Sequence, residues 1–204
     1  MLLIVDYGAG NVKSVANAFG AAGADVEVSG AREKLERAER IVLPGVGAFG
    51  AAMDSLEARG LDRLLAKEVL ENKKPFMGVC LGMQLLAKRG EEGGPRAGLG
   101  WIDGEVKKLS VPAGLKLPHV GWNDVSINHA CPLFKGIRDG TSFYFVHSYH
   151  LKLTNEETVA ASCEYGERFA AAVWQDNIFA TQFHPEKSQN AGMAVLENFL
   201  DWRP

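Results

Sequence analysis

Short apolar runs alternate with amphipathic stretches through the first half of this chain, and that rhythm constrains the fold more than any other feature. Residues 2–5 are continuous and aliphatic, as a strand buried on both faces must be. Gly8, Ala9 and Gly10 end that run, and a helical pattern opens at Asn11 and continues to Ala22. Residues 24–28 alternate as a strand. Residues 41–43 form a third strand, cut off by Pro44 and Gly45, and residues 76–79 a fourth. Helical periodicity fills 51–72, broken near Gly60, and returns over 81–88. Strands separated by helices of this length require βαβ units and a parallel sheet.

The texture changes after the loop at 91–95. Strand-like pieces follow at 101–109, 120–127, 142–147, 158–164, 170–174 and 178–183, with little helix between them. They predict an antiparallel or mixed extension of the first sheet, closed by an amphipathic helix over 193–202. No linker, internal repeat or low-complexity segment interrupts the 204 residues, so a single domain spanning 1–204 is expected.

Composition narrows the partners. The chain is 47% apolar and 23% charged, enough apolar area to offset the entropy of ordering and to exclude a disordered protein. Its net charge of −3 and lack of any dense basic run argue against nucleic acid and anionic membrane as partners. The first apolar run meets Asp6 too soon for a signal peptide or a membrane span. Three cysteines (Cys80, Cys131, Cys163) with no C-x-x-C pair argue against a disulfide framework and a cysteine zinc site. A soluble, cytoplasmic protein without metal or cofactor is expected.

The glycines after the first run invite a dinucleotide-binding reading, but Lys13 stands where G-x-G-x-x-G needs its third glycine. A tight turn with Asn11 capping the helix explains the segment better. A sharper signal is Gly78-Val79-Cys80-Leu81-Gly82, between a strand and a helical pattern. It has the form of the G-x-S-x-G nucleophile elbow with sulfur in place of oxygen. The turn would put the Cys80 Sγ at a helix N-terminus, where free N–H groups favour thiolate, and would offer the Leu81 N–H to an oxyanion. Cys80 alone reads more readily as a small buried hydrophobe, but flanking glycines at the C-terminal edge of a sheet weigh against that.

A cysteine nucleophile needs a base. His129 lies in a polar stretch, whereas His119, His147 and His150 adjoin apolar strands and fit either core or site. His184 stands apart in Phe183-His184-Pro185-Glu186. In an extended segment residues i and i+2 share a face, so Glu186 can orient the imidazole as the third member of a triad. An exposed His-Pro-Glu turn is the alternative. Finally, Pro44-Gly45-Val46-Gly47 follows a parallel strand and can present N–H groups to an anion, or be an ordinary glycine-rich loop.

Residues 78–84 with Phe183–Glu186 make the chain resemble the triad (class I) glutamine amidotransferases. Within that family it is similar to the glutaminase subunits of imidazole glycerol phosphate synthases. That narrower likeness rests on residues 6–11, 44–47, 118–123 and 144–149, and the whole runs from Leu3 to about Lys187. The resemblance implies the family's α/β fold, a central, mostly parallel sheet flanked by helices. It implies that Cys80 attacks glutamine, that His184 moves the protons and that Glu186 orients His184. Val46, Gly47 and Leu81 would hold the oxyanion, while Gly47, Gln84, Ser148 and Tyr149 would bind glutamine. Trp122, Asn123, Tyr144 and Lys187 would dock a (β/α)8-barrel synthase subunit, the heterodimer partner that uses the ammonia in histidine biosynthesis. Another triad amidotransferase, a non-catalytic relative and a cysteine peptidase are the competing readings.

Overall fold

A computed structural model describes all 204 residues. The first half runs β1 (Leu2–Val5), α1 (Val12–Ala21), β2 (Val26–Ser29), α2 (Arg32–Arg37), β3 (Arg40–Gly45), α3 (Phe49–Ala58), α4 (Leu61–Ala66) and β4 (Phe76–Cys80). The second half runs α5 (Leu81–Gln84), β5 (Ala87–Gly90), β6 (Arg96–Ala97), β7 (Ile102–Lys108), β8 (His119–Ile127), β9 (Thr141–His147), β10 (Tyr149–Leu153), β11 (Val159–Tyr165), β12 (Glu167–Gln175), β13 (Ile178–Thr181) and α6 (Gln189–Asp201).

Nine strands form one sheet in the order β2-β1-β3-β4-β13-β12-β11-β8-β9. The pairings from β2 to β13 are parallel, and those from β13 to β9 are antiparallel. β1 is buried at every position, Leu3 and Val5 entering one core and Leu2 and Ile4 the other. Phe19 of α1 and Phe199 of α6 meet edge to face on the second side, at 6.0 Å between ring centroids. The parallel α/β architecture expected from the sequence is thus present, with helices on both faces.

Three expectations need correction. The strands of the second half do not all extend the first sheet. β7 and β10 join β5 and β6 in a separate four-stranded sheet. The chain changes sheets at Ser148, between β9 and β10, where the Ser148 carbonyl accepts the Leu109 N–H at 2.9 Å. The helix expected over 81–88 is only one turn long. Beyond it the carbonyls of Leu85, Leu86 and Ala87 accept from Leu99, Trp101 and Gly100 at 2.8–3.0 Å. This fully buried trio is thereby drawn into β5 and its neighbours rather than continuing the helix. Third, Asn11 occupies the N-cap position of α1 without a side-chain cap bond. The 6-residue helix α2 was also not apparent from the sequence, and α6 begins at Gln189, four residues before the predicted start.

No helix is long and apolar enough to cross a membrane. The three cysteines are free and buried.

Candidate active site

β4 delivers Cys80 to the C-terminal edge of the parallel strands, the edge where open α/β sheets place their sites. Cys80 has φ +55° and ψ −108°, a backbone conformation that a residue with a Cβ adopts only under constraint. Such strain costs about 1–3 kcal/mol and persists only where surrounding structure enforces it. Gly82 shows how it is enforced: a Cβ there would lie 1.8 Å from the Leu43 carbonyl oxygen, so α5 packs directly on β3.

β13 brings the base. It pairs with β4 in the register Thr181↔Val79, so the residues that follow it pass beside Cys80. His184 is 2% exposed, and its Nδ1 lies 2.8 Å from Glu186 Oε1. A one-turn 3-10 helix over Pro185–Lys187 brings the two together, rather than the extended segment expected. Ser188 clasps this turn by donating to the His184 carbonyl at 2.7 Å and accepting the Tyr144 N–H at 3.0 Å.

His184 Nε2 is buried without a conventional hydrogen-bond partner. Burial alone would depress the imidazole pKa. Cys80 and Glu186 outweigh it, and the pKa rises to about 9. Both neighbours thus favour the charged imidazole beside the sulfur. A one-turn helix has little macrodipole, so the neighbouring charge, more than α5, is the electrostatic partner of Cys80.

A cavity of about 270 Å³ opens at the sulfur, suited to a ligand of amino-acid size. Every residue expected to hold the oxyanion or glutamine lines it: Val46, Gly47, Leu81, Gln84, Ser148 and Tyr149, with Cys80 and His184. Gly47 is exposed with φ +101°, a left-handed conformation natural only to glycine. Glu92, Pro118, Val146 and His147 complete the wall; of these the sequence offered only His147, as a residue of either core or site. The Glu92 carboxylate accepts the Phe49 N–H at 2.8 Å, and so caps α3 from the cavity rim. Tyr7, also not anticipated, lies under Gly45 with its hydroxyl buried and unpartnered. Burial and then the charge on Cys80 push its phenol pKa upward. A larger groove of about 890 Å³, between Trp174 and Trp202, lies at the opposite end of these strands and contains none of this chemistry.

Three of the four expected docking residues cluster. Trp122 faces Tyr144 across β8 and β9, rings edge to face at 6.1 Å, and Lys187 Nζ lies 5.7 Å from the Tyr144 ring centroid. Trp122 is 48% exposed and nearby Val120 56%, a large apolar surface for a solvated strand. Asn123 does not join them. It points to the opposite face, where its Nδ2 donates to the Glu164 carbonyl at 2.9 Å. The Tyr144 carbonyl accepts the His184 N–H at 2.9 Å, so the Trp122 face and the base share one backbone bond.

The model of the glutamine amidotransferase class-I family matches residues 3–202. The chain is 48% identical to imidazole glycerol phosphate synthase subunit HisH 1 of Campylobacter jejuni strain RM1221, over 98% of this chain and 99% of that one. It is 45% identical to subunit HisH 2 of Pseudomonas aeruginosa, over 98% and 99%. The chain belongs to the class I glutamine amidotransferases. Within them it is a glutaminase subunit of the imidazole glycerol phosphate synthase type. Solved structures agree on the amidotransferase fold: PurLQS from Thermotoga maritima superposes with TM-score 0.76 at 22% identity, covering 98% of this chain and 97% of that one. The glutaminase domain of CTPS from Trypanosoma brucei gives 0.71 at 18% identity, covering 98% and 91%.

Proposed function

We propose that this amidotransferase runs its chemistry on Cys80, His184 and Glu186, with residues 1–204 acting as one glutaminase domain in the cytoplasm. Cys80 Sγ attacks the side-chain carbonyl carbon of L-glutamine, and the oxyanion takes N–H bonds from Leu81 and the Val46–Gly47 backbone. His184 gives its proton to the leaving nitrogen, ammonia departs, and a thioester remains. Water then attacks the thioester, His184 accepts its proton, and glutamate leaves with the Cys80 sulfur restored. Glu186 holds the imidazole in the tautomer and orientation both steps require. Gly47, Gln84, Ser148 and Tyr149 bind the amino-acid end of glutamine.

The partner in this reading is a (β/α)8-barrel synthase subunit, held as a heterodimer against Trp122, Tyr144 and Lys187, with Asn123 supporting that strand from behind. Ammonia passes to it and is used to make imidazole glycerol phosphate. No nucleic acid, membrane, metal or cofactor enters the scheme. The observation that carries the reading is His184, buried beside Cys80 with the Glu186 carboxylate 2.8 Å from its Nδ1, both neighbours raising its pKa.

Glutamine hydrolysis is measured for the chain alone, with the barrel subunit, and with the barrel plus its ribonucleotide ligand. Turnover is expected to rise by orders of magnitude across the series. In Cys80→Ser, glutamine-dependent synthesis is lost while assembly and synthesis from added ammonium salts persist. Loss of the ammonium-dependent reaction as well would make Cys80 a structural residue and sink the proposal.

A further inference from the structure

An unbroken line of hydrogen bonds runs from the back of the Trp122 strand to the Cys80 sulfur. Asn123 Nδ2 lies 3.4 Å from His119 Nε2, and His119 Nδ1 lies 3.0 Å from His147 Nε2. His147 Nδ1 is 2.9 Å from the Tyr149 carbonyl, which also accepts Gln84 Nε2–H at 2.8 Å. Gln84 Nε2 donates again, to Gln182 Oε1 at 3.0 Å, and Gln182 Nε2 points at Cys80 Sγ from 3.7 Å. Gln182, His119, Gln84 and His147 are between 0% and 6% exposed.

The Tyr149 carbonyl sets the sense of every bond, because a carbonyl can only accept. Gln84 must turn its amide N–H toward it, and the second hydrogen on that nitrogen requires the oxygen of Gln182. With its oxygen turned to Gln84, the Gln182 amide presents an N–H to the sulfur. On the other side His147 must carry its proton on Nδ1 and accept on Nε2. His119 must therefore donate from Nδ1 and accept from Asn123. Both rings are neutral in this arrangement. Burial agrees, holding His119 down to about 4, and burial with the neighbouring histidines holds His147 to about 3.

We infer that Gln182 is a hydrogen-bond donor to the nucleophilic sulfur, and that Gln84, His147 and His119 are positioning residues that fix its orientation from the strand behind Trp122. This rests on the assignment of Cys80 as nucleophile. An N–H aimed at sulfur stabilises the thiolate and restricts its approach to the substrate, and bonds to charged partners are about twice as strong as neutral ones. His119 is suited to its part because Tyr165 and Phe145 stack on its two sides at 3.9 and 5.0 Å between ring centroids.

The test is steady-state glutamine hydrolysis by the complex with the synthase subunit, with the rate of Cys80 alkylation by iodoacetamide. Gln182→Leu is expected to lower kcat about tenfold or more, the effect of losing one bond to a charged group, and to leave KM within about twofold. His119→Phe keeps the aromatic stack but removes both ring nitrogens, and is expected to lower kcat about threefold. The double variant should be no slower than Gln182→Leu alone, because the two residues act through one chain. Losses that multiply, or an unchanged kcat in either single variant, would overturn the inference. Gln182→Glu keeps the shape but presents a carboxylate to the sulfur. It should lose kcat and alkylation rate together, and wild-type values in it would be equally fatal. If Cys80→Ser still turns over glutamine, the nucleophile assignment fails. If Cys80→Ser is inactive while Gln182→Leu is normal, only the relay fails.

Discussion

His184 Nδ1 and Glu186 Oε1 are 2.8 Å apart with only Pro185 between them in the chain, and the Glu186 side chain is 1% exposed. Such a carboxylate orients a base but moves no proton itself. Glu186→Gln should therefore lower kcat less than His184→Ala, and the double variant should be little worse than His184→Ala alone. Additive losses would place the two residues in separate steps.

The charge on His184 can be followed directly. Its pKa rises from an ordinary 6.5 to about 9, against the effect of burial and because of Cys80 and Glu186. A group raised in the folded state stabilises it fully below the unfolded value, and the contribution fades as pH climbs through about 9. NMR titration of the His184 imidazole should give a midpoint near 9, and Cys80→Ala should lower it. The same midpoint in both proteins would remove Cys80 as a cause.

Gly47 has φ +101°, is exposed, and has no atom within 4 Å of where a Cβ would stand. In the proposed mechanism this loop supplies an N–H to the oxyanion, and only one orientation of its peptide aims that N–H there. Loss of one such donor costs roughly 10²–10³ in rate. Gly47→Pro removes the donor and fixes φ near −65°, so partner-stimulated turnover should collapse while the dissociation constant of the complex changes little. Comparable losses in both would make the loop a docking element instead.

Gly82→Ala should behave quite differently. The added methyl would meet the Leu43 carbonyl oxygen at 1.8 Å, and backbone cannot step aside as a flexible side chain can. A loss of about 3 kcal/mol or more is expected, read as a lower denaturant midpoint at unchanged m-value. Wild-type stability would mean that α5 does not press on β3.

Trp122→Ala tests the docking face. The ring is 48% exposed, so its removal should leave the melting temperature of the free chain nearly unchanged. An aromatic anchor at an interface centre contributes about 2 kcal/mol or more, so the Kd for the synthase subunit should rise at least about thirtyfold. Tight binding by the variant would move the interface elsewhere.

Much of this was legible because it is local. The elbow at Cys80 and the glycines after β3 each lie within a few residues, so their turn geometry can be read from the local pattern. His184 and Glu186 were paired correctly, although by a 3-10 turn rather than an extended strand. What escaped was long-range register. Nothing in the pattern at 119 and 147 says that β8 and β9 pair there, so His119 and His147 stayed two histidines near apolar strands. Gln182 sits in an apolar run, and a buried amide in such a run was a signal left unread. Asn123 had a signal too. Adjacent residues of a strand point to opposite faces, which already separates Asn123 from Trp122. The short α5 escaped because residues 85–87 are apolar throughout and have no period to choose by.

The central place of β13, between β4 and β12, has a consequence for the timing of synthesis. Cys80 leaves the ribosome about a hundred residues ahead of Thr181, which at roughly 5–20 residues per second is on the order of ten seconds. Throughout that interval the edge of β4 is open and the sulfur has neither His184 nor Gln182 beside it. On the proposed mechanism the growing chain lacks its base, and so cannot turn over glutamine, until residue 184 is made. Its most vulnerable surface in that period is the open edge of β4, the strand that ends at Cys80.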